Sequence, residues 1–281
     1  MEFNYVLPIQ KVVFIGNYVP RRCGIATFTT DICRGVLALY PRTACLAIAV
    51  NDIPEGYEYP KDVRFEINEE DVTSYQRAAE YINLNNVDVV SLQHEFGIFG
   101  GPSGSHILSL LNEVKVPIVT TLHTILNDPT DEQHKVMDEL KQISSRFIVM
   151  TDRAFQFLID IYNIPEDKID IIPHGIPDMP FVDPNYYKDT FGVEGKQVLL
   201  SFGLLSPNKG LEFVLNALPR IIEKHPNLVY IVLGATHPSL IRQEGEVYRL
   251  SLERLAVQNG IEKNVIFYNR YVELDQLIEF I

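Results

Sequence analysis

Beyond its first ten residues the chain alternates short apolar runs with amphipathic helical stretches, and no other feature restricts its fold as tightly. A short apolar run bounded by turn formers is too brief for a buried helix and suits a strand covered on both faces. Parallel strands need long crossovers, which the helical stretches supply. The pattern predicts an α/β protein with doubly wound parallel sheets. Strands are expected at residues 11–15, 44–50, 63–67, 87–92, 117–122, 146–150 and 169–172, and helices at 26–39, 72–83, 105–111, 132–142 and 153–161. Together these make one complete lobe.

Around Pro173-His174-Gly175-Ile176-Pro177-Asp178-Met179-Pro180 the alternation gives way to proline-rich, aromatic and polar sequence, and it resumes at Gln197. At 281 residues there is room for two lobes. The break predicts an N-terminal Rossmann-like domain over residues 1–175, a linker over 176–195 and a second Rossmann-like domain over 196–281. The second lobe offers strands at 198–202, 228–233 and 265–268, helices at 211–223 and 247–259, and a last helix at 274–281. So few strands leave a sheet edge bare, so the domain is expected to be partial, with the sequence part of a longer chain in preference to a sheet completed by another chain.

Charge narrows the ligands. A formal net charge of −13 repels nucleic acid and anionic lipid unless a basic patch intervenes, and Arg21-Arg22 is the one small patch. An anionic ligand must then be captured by local geometry, which points to a small molecule in a cleft. No apolar run has the length of a membrane span, and the first ten residues lack the pattern of a secretion signal. Cys23, Cys33 and Cys45 have neither an even count nor CxxC spacing, so a cytoplasmic protein without disulfides or a zinc site is expected.

In open α/β sheets ligands lie outside the carboxyl ends of the strands, which singles out four turns. Gly16-Asn17-Tyr18-Val19-Pro20-Arg21-Arg22-Cys23-Gly24-Ile25-Ala26 brackets a loop with glycines before a helix, although it lacks both the GxGxxG and the GK[ST] spacing. Gln93-His94-Glu95-Phe96-Gly97-Ile98-Phe99-Gly100-Gly101 suits a sugar-binding wall, with His94 and Glu95 on hydroxyls; it equally suits a loop braced for its own sake. Thr121-Leu122-His123 places an imidazole at a strand exit, able to bond a ligand or a backbone carbonyl. Ile172-Pro173-His174-Gly175 ends the lobe, with His174 facing the cleft or shaping the turn. No GxSxG elbow and no metal-ligand spacing is found.

The densest signal is Gln197-Val-Leu-Leu-Ser-Phe-Gly-Leu-Leu-Ser-Pro-Asn-Lys-Gly-Leu-Glu212. It reads as a buried strand, a tight turn and a new helix, which aims a helix N-terminus at the sheet's carboxyl edge. Backbone N–H groups and the macrodipole favour an anion there, and Lys209 adds an ammonium; taken alone, the motif reads more readily as an ordinary strand-to-helix turn with a solvated lysine.

Through these turns the chain resembles the retaining glycosyltransferases of family four, which have the GT-B fold. The resemblance rests on Cys23-Gly24-Ile25, Thr121-Leu122-His123, Ile172-Pro173-His174-Gly175, Phe202-Gly203 with Lys209-Gly210, and Leu233-Gly234-Ala235. In that family two Rossmann-like lobes face each other across a cleft, the first mostly holding the acceptor and the second a nucleoside-diphosphate sugar.

The resemblance implies metal-independent transfer of a sugar to a hydroxyl acceptor with retention of configuration. It implies His123 and Lys209 as catalytic residues and Gly24, Gly203, Lys209, Gly210 and Gly234 around the donor. Arg22, His94, Glu95 and His174 are expected on the acceptor or sugar. The donor is a co-substrate, and no separate cofactor is implied.

Two departures stand out. Leu204 occupies the position where the family commonly carries an arginine, leaving Arg242 or Arg270 as substitutes whose place the sequence leaves open. The family's pair of glutamates separated by seven residues has no equivalent before Ile281. A noncatalytic carbohydrate- or nucleotide-binding module and a nucleotide-sugar epimerase are the competing expectations.

Overall fold

Val13 and Ile15 pack on one side of the first strand, β1 (Lys11–Gly16), and Val12 and Phe14 on the other, all four buried. This is the two-faced burial that a continuous apolar run demands. The computed structural model describes residues 9–183, 185–189 and 191–281, and the chain divides after Ile176 into two units.

The first unit continues with α1 (Gly24–Leu39), β2 (Ala44–Asn51), β3 (Val63–Asn68), α2 (Val72–Leu84), β4 (Val89–His94) and α3 (Ile107–Leu111). It ends with β5 (Ile118–Leu122), α4 (Asp131–Ile143), β6 (Arg146–Val149), α5 (Asp152–Asp160) and β7 (Ile169–Ile171). The seven strands form one parallel sheet in the order β3-β2-β1-β4-β5-β6-β7. Cys33 of α1 joins Val12, Phe14 and Ala47 on one face, while α2 to α5 contribute Tyr75, Ile107, Met137 and Leu158 to the core on the other. Strand order reverses beside β1, at its pairing with β4, which is the kind of switch point at whose carboxyl edge open α/β sheets bind ligands.

In the second unit β8 (Gln197–Phe202), β9 (Leu228–Leu233) and β10 (Val265–Tyr268) form a parallel sheet in the order β10-β9-β8. Leu211 and Leu215 of α6 (Leu211–Ile222) and Leu252 of α8 (Val247–Gln258) pack with Tyr230 and Val232. On the opposite face Val229 and Ile231 meet Val193, Phe191 and two residues of α9 (Leu274–Phe280), Leu277 and Phe280. Phe191 stacks on Phe280 at 4.0 Å, so residues at the end of the expected linker belong to this core.

One helix, α7 (Pro238–Glu244), has no counterpart among the helices expected from the sequence. Seven residues are too few to show a period, although Pro238 at its first turn is a helix-start signal. Among the described residues no helix is long and apolar enough to cross a membrane.

Candidate functional site

The switch point of the first sheet assembles one candidate site. Register pairs Ile15 with Leu92 and His94 with Leu122, which brings Gly16, Gln93, His94 and His123 to the ends of three adjacent strands. A Cβ on Gly16 would stand 3.0 Å from Gln93 Cβ, so the glycine makes room for the buried Gln93 side chain. His123 donates its backbone N–H to His94 O at 3.0 Å, and its Nε2 lies 3.1 Å from Gln93 Oε1. From α1, Phe28 sets its ring edge-to-face against His123 at 4.7 Å and against His174 at 5.1 Å.

Burial, followed by the neighbouring His174, lowers the His123 pKa to about 4. Its imidazole is neutral at pH 7, a hydrogen-bonding group without charge. His94 is fully buried, its pKa pushed down to about 3 by desolvation and then by His123. It lies edge-on to Phe96 at 5.1 Å and stacked on Phe99 at 6.1 Å. Neither His94 ring nitrogen has a hydrogen-bond partner among the described residues. The expected role of His94 on sugar hydroxyls is therefore corrected: the ring lies inside the wall because Phe96 and Phe99 pack around it.

Both Glu95 oxygens are engaged, Oε1 by the Phe96 N–H at 3.1 Å and Oε2 by the Thr124 hydroxyl. Glu95 thereby ties the turn after β4 to the turn after β5, which is the bracing alternative. Gly100 belongs to the same bracing, since a Cβ there would fall 1.9 Å from Glu69 O. Gly24 opens α1 facing open space, where an added Cβ would meet no atom within 4 Å, and Cys23 caps the helix by accepting the Ala26 N–H at 3.3 Å. Arg22 is exposed beside it, and His174 is exposed with Nδ1 2.8 Å from Gly175 O.

Its neighbour Arg21 is structural. The guanidinium donates to Asn17 Oδ1 at 2.9 Å and Val50 O at 3.0 Å, and pairs with Asp52 at 3.4 Å. Arg21 fixes the loop that carries Gly24, a role that sequence reasoning missed along with those of Phe28 and Gln93. Only Arg21-Arg22 as a basic pair offered any signal.

The second unit carries its own candidate site. Leu200, Ser201, Phe202, Gly203, Leu204, Leu205, Lys209 and Leu211 line a concavity of about 240 Å³ at the carboxyl end of β8. Lys209 is its charged residue, exposed in the 3-10 turn Pro207–Lys209. Gly210 follows at φ 65°, in the left-handed region, and α6 starts immediately after it. Gly234 lies against Gly203, where an added Cβ would fall 1.9 Å from Gly203 O. Neither Arg242 nor Arg270 lines the concavity; Arg270 instead lies over the Tyr268 ring at 5.9 Å.

Known proteins are similar to this chain in sequence and in fold. Residues 24–178 match the model of Glycosyltransferase Family 4, and residues 185–281 that of Glycosyl transferases group 1. An uncharacterized glycosyltransferase of Methanocaldococcus jannaschii, MJ1607, is 25% identical over 203 residues, covering 66% of this chain and 47% of that protein. The D-inositol 3-phosphate glycosyltransferase of Frankia alni is 26% identical over 183 residues, covering 59% of this chain and 44% of that protein. The chain thus spans about half the length of these two relatives.

Among solved structures, Anabaena HepE in complex with UDP and glucose superposes with a TM-score of 0.69 at 16% identity, over 96% of this chain and 71% of that one. This likeness bears on the fold, which is that of the GT-B glycosyltransferases. With more than half of its length matched by the first family model, the chain belongs to Glycosyltransferase Family 4.

Proposed function

We propose that the protein transfers a hexosyl group from a nucleoside-diphosphate sugar to a hydroxyl acceptor, with retention at the anomeric carbon and without a divalent metal. The observation that carries this reading is the Lys209-Gly210 turn, which sets an ammonium beside the N-terminus of α6 at the mouth of a concavity. As the bond from the anomeric carbon to the diphosphate oxygen breaks, negative charge grows on the leaving group. A preorganised cation and a helix N-terminus stabilise that charge where it develops. HepE, solved with UDP and glucose, supports a donor of this class.

The acceptor oxygen attacks the anomeric carbon on the face that the diphosphate leaves. Its proton passes to the departing phosphate oxygen, so the products are the glycoside and the nucleoside diphosphate. In this scheme His123 contacts the transferred sugar as a neutral group, consistent with its low pKa of about 4. Gly24 at the start of α1 is assigned to the donor, and Arg22 beside it and exposed His174 to the acceptor or sugar. His94 and Glu95 support that wall from within.

Titration calorimetry with UDP, GDP and ADP and their sugar conjugates tests the donor site. Lys209→Ala should weaken diphosphate binding by about 1 to 3 kcal/mol, the range of a charge-assisted hydrogen bond. Equal affinity of variant and parent would remove Lys209 from the site. Transfer in the presence of EDTA should keep its rate, and loss that added Mg²⁺ restores would refute the metal-free scheme.

A further inference from the structure

We infer that Gln93 is a positioning residue that holds His123 in the tautomer protonated at Nε2, so that Nδ1 accepts a hydrogen bond from a substrate hydroxyl. The inference rests on the proposed contact between His123 and the sugar. It starts from the Gln93 amide, which is wholly buried and donates through Nε2 to Ser91 Oγ at 3.1 Å. That leaves Oε1 facing His123 Nε2 at 3.1 Å. An amide oxygen only accepts, so the imidazole nitrogen opposite it carries the proton. A neutral imidazole has one donor and one acceptor, and Nδ1 is left with the lone pair.

The ring is held in this setting from several directions. Its backbone N–H is fixed on His94 O, and Phe28 closes one side at 4.7 Å. Among the described residues no group bonds Nδ1, and it is not one of the buried unpartnered atoms. Burial keeps the ring neutral at pH 7, as its pKa of about 4 requires.

The ligand chemistry follows from the lone pair. Phosphate and carboxylate oxygens only accept, so they gain nothing at Nδ1, whereas a sugar hydroxyl donates to it. The first unit then reads a hydroxyl through His123, and anion binding is left to Lys209 in the second.

Nitrogen-15 NMR of the histidine rings tests this directly, the His123 signals being those lost in His123→Ala. The parent should show Nε2 protonated and Nδ1 unprotonated, and Gln93→Leu should give a mixture of tautomers. Gln93→Glu, which keeps an accepting oxygen, should restore the single form. In sugar transfer Gln93→Leu should lower kcat/KM roughly three- to tenfold, the worth of one hydrogen bond, with Gln93→Glu closer to the parent.

Protonation at Nδ1 in the parent, or a tautomer unmoved by Gln93→Leu, would overturn the inference. If Gln93→Leu does not fold, Ser91→Ala, which frees the amide to turn over, takes its place with the same readout. The expected tautomers without any sugar transfer would refute the proposed function and leave the positioning intact.

Discussion

His94 and His123 occupy neighbouring strand ends and meet different surroundings. His123 has Gln93 for a partner and a nitrogen left to bond, whereas His94 is enclosed by Phe96 and Phe99 with both nitrogens unpartnered among the described residues. A buried imidazole without a partner carries its desolvation cost uncompensated, so replacing it by an apolar group of similar size is close to neutral or stabilising. His94→Leu is expected to leave the unfolding free energy at pH 7 within about 1 kcal/mol of the parent or to raise it. Urea denaturation checks this; a loss of several kcal/mol would mean that the nitrogens are bonded. The turn that carries Lys209 was legible in the sequence because proline, lysine and glycine stand within it. Gln93 and Phe28 were not. Gln93 meets His123 across 30 residues of chain, a contact that only strand register creates.

At the scale of elements, the apolar runs announced nearly every strand, because a strand buried on both faces has little freedom in composition. Boundaries moved by a residue or two: β4 runs to His94 instead of stopping at Leu92, which places Gln93 and His94 within the sheet rather than in a loop. What the sequence did not disclose was where strands approach closely. Gly234 follows β9, and its missing side chain lets the backbone pass Gly203 after β8. Gly234→Ala is expected to cost about 3 kcal/mol or more, since a Cβ 1.9 Å from a carbonyl oxygen forces the two strand ends apart. The deformation falls on the Gly203 to Lys209 turn, so nucleotide affinity should drop with stability. Thermal unfolding and calorimetry read the two effects; an unaltered melting temperature would show that the turn yields at little cost.

For the whole molecule, the two histidines set a dependence on acid. Their folded pKa values, about 3 for His94 and about 4 for His123, lie below the ordinary value of 6.5, so the unfolded chain binds protons more readily. Stability from this source is complete above pH 6.5 and is lost as pH falls toward 4 and then 3. Denaturation series should show a fall on the order of a few kcal/mol from pH 6.5 to 4. His94→Leu should flatten that slope, and an equal slope in both proteins would clear His94 of the effect. The first unit also contains a contact with a mechanical consequence. Phe28 touches both His123 and His174, and His174 stands two residues before the point where the chain divides. A displacement of His174 therefore reaches the His123 imidazole through a single shared aromatic ring.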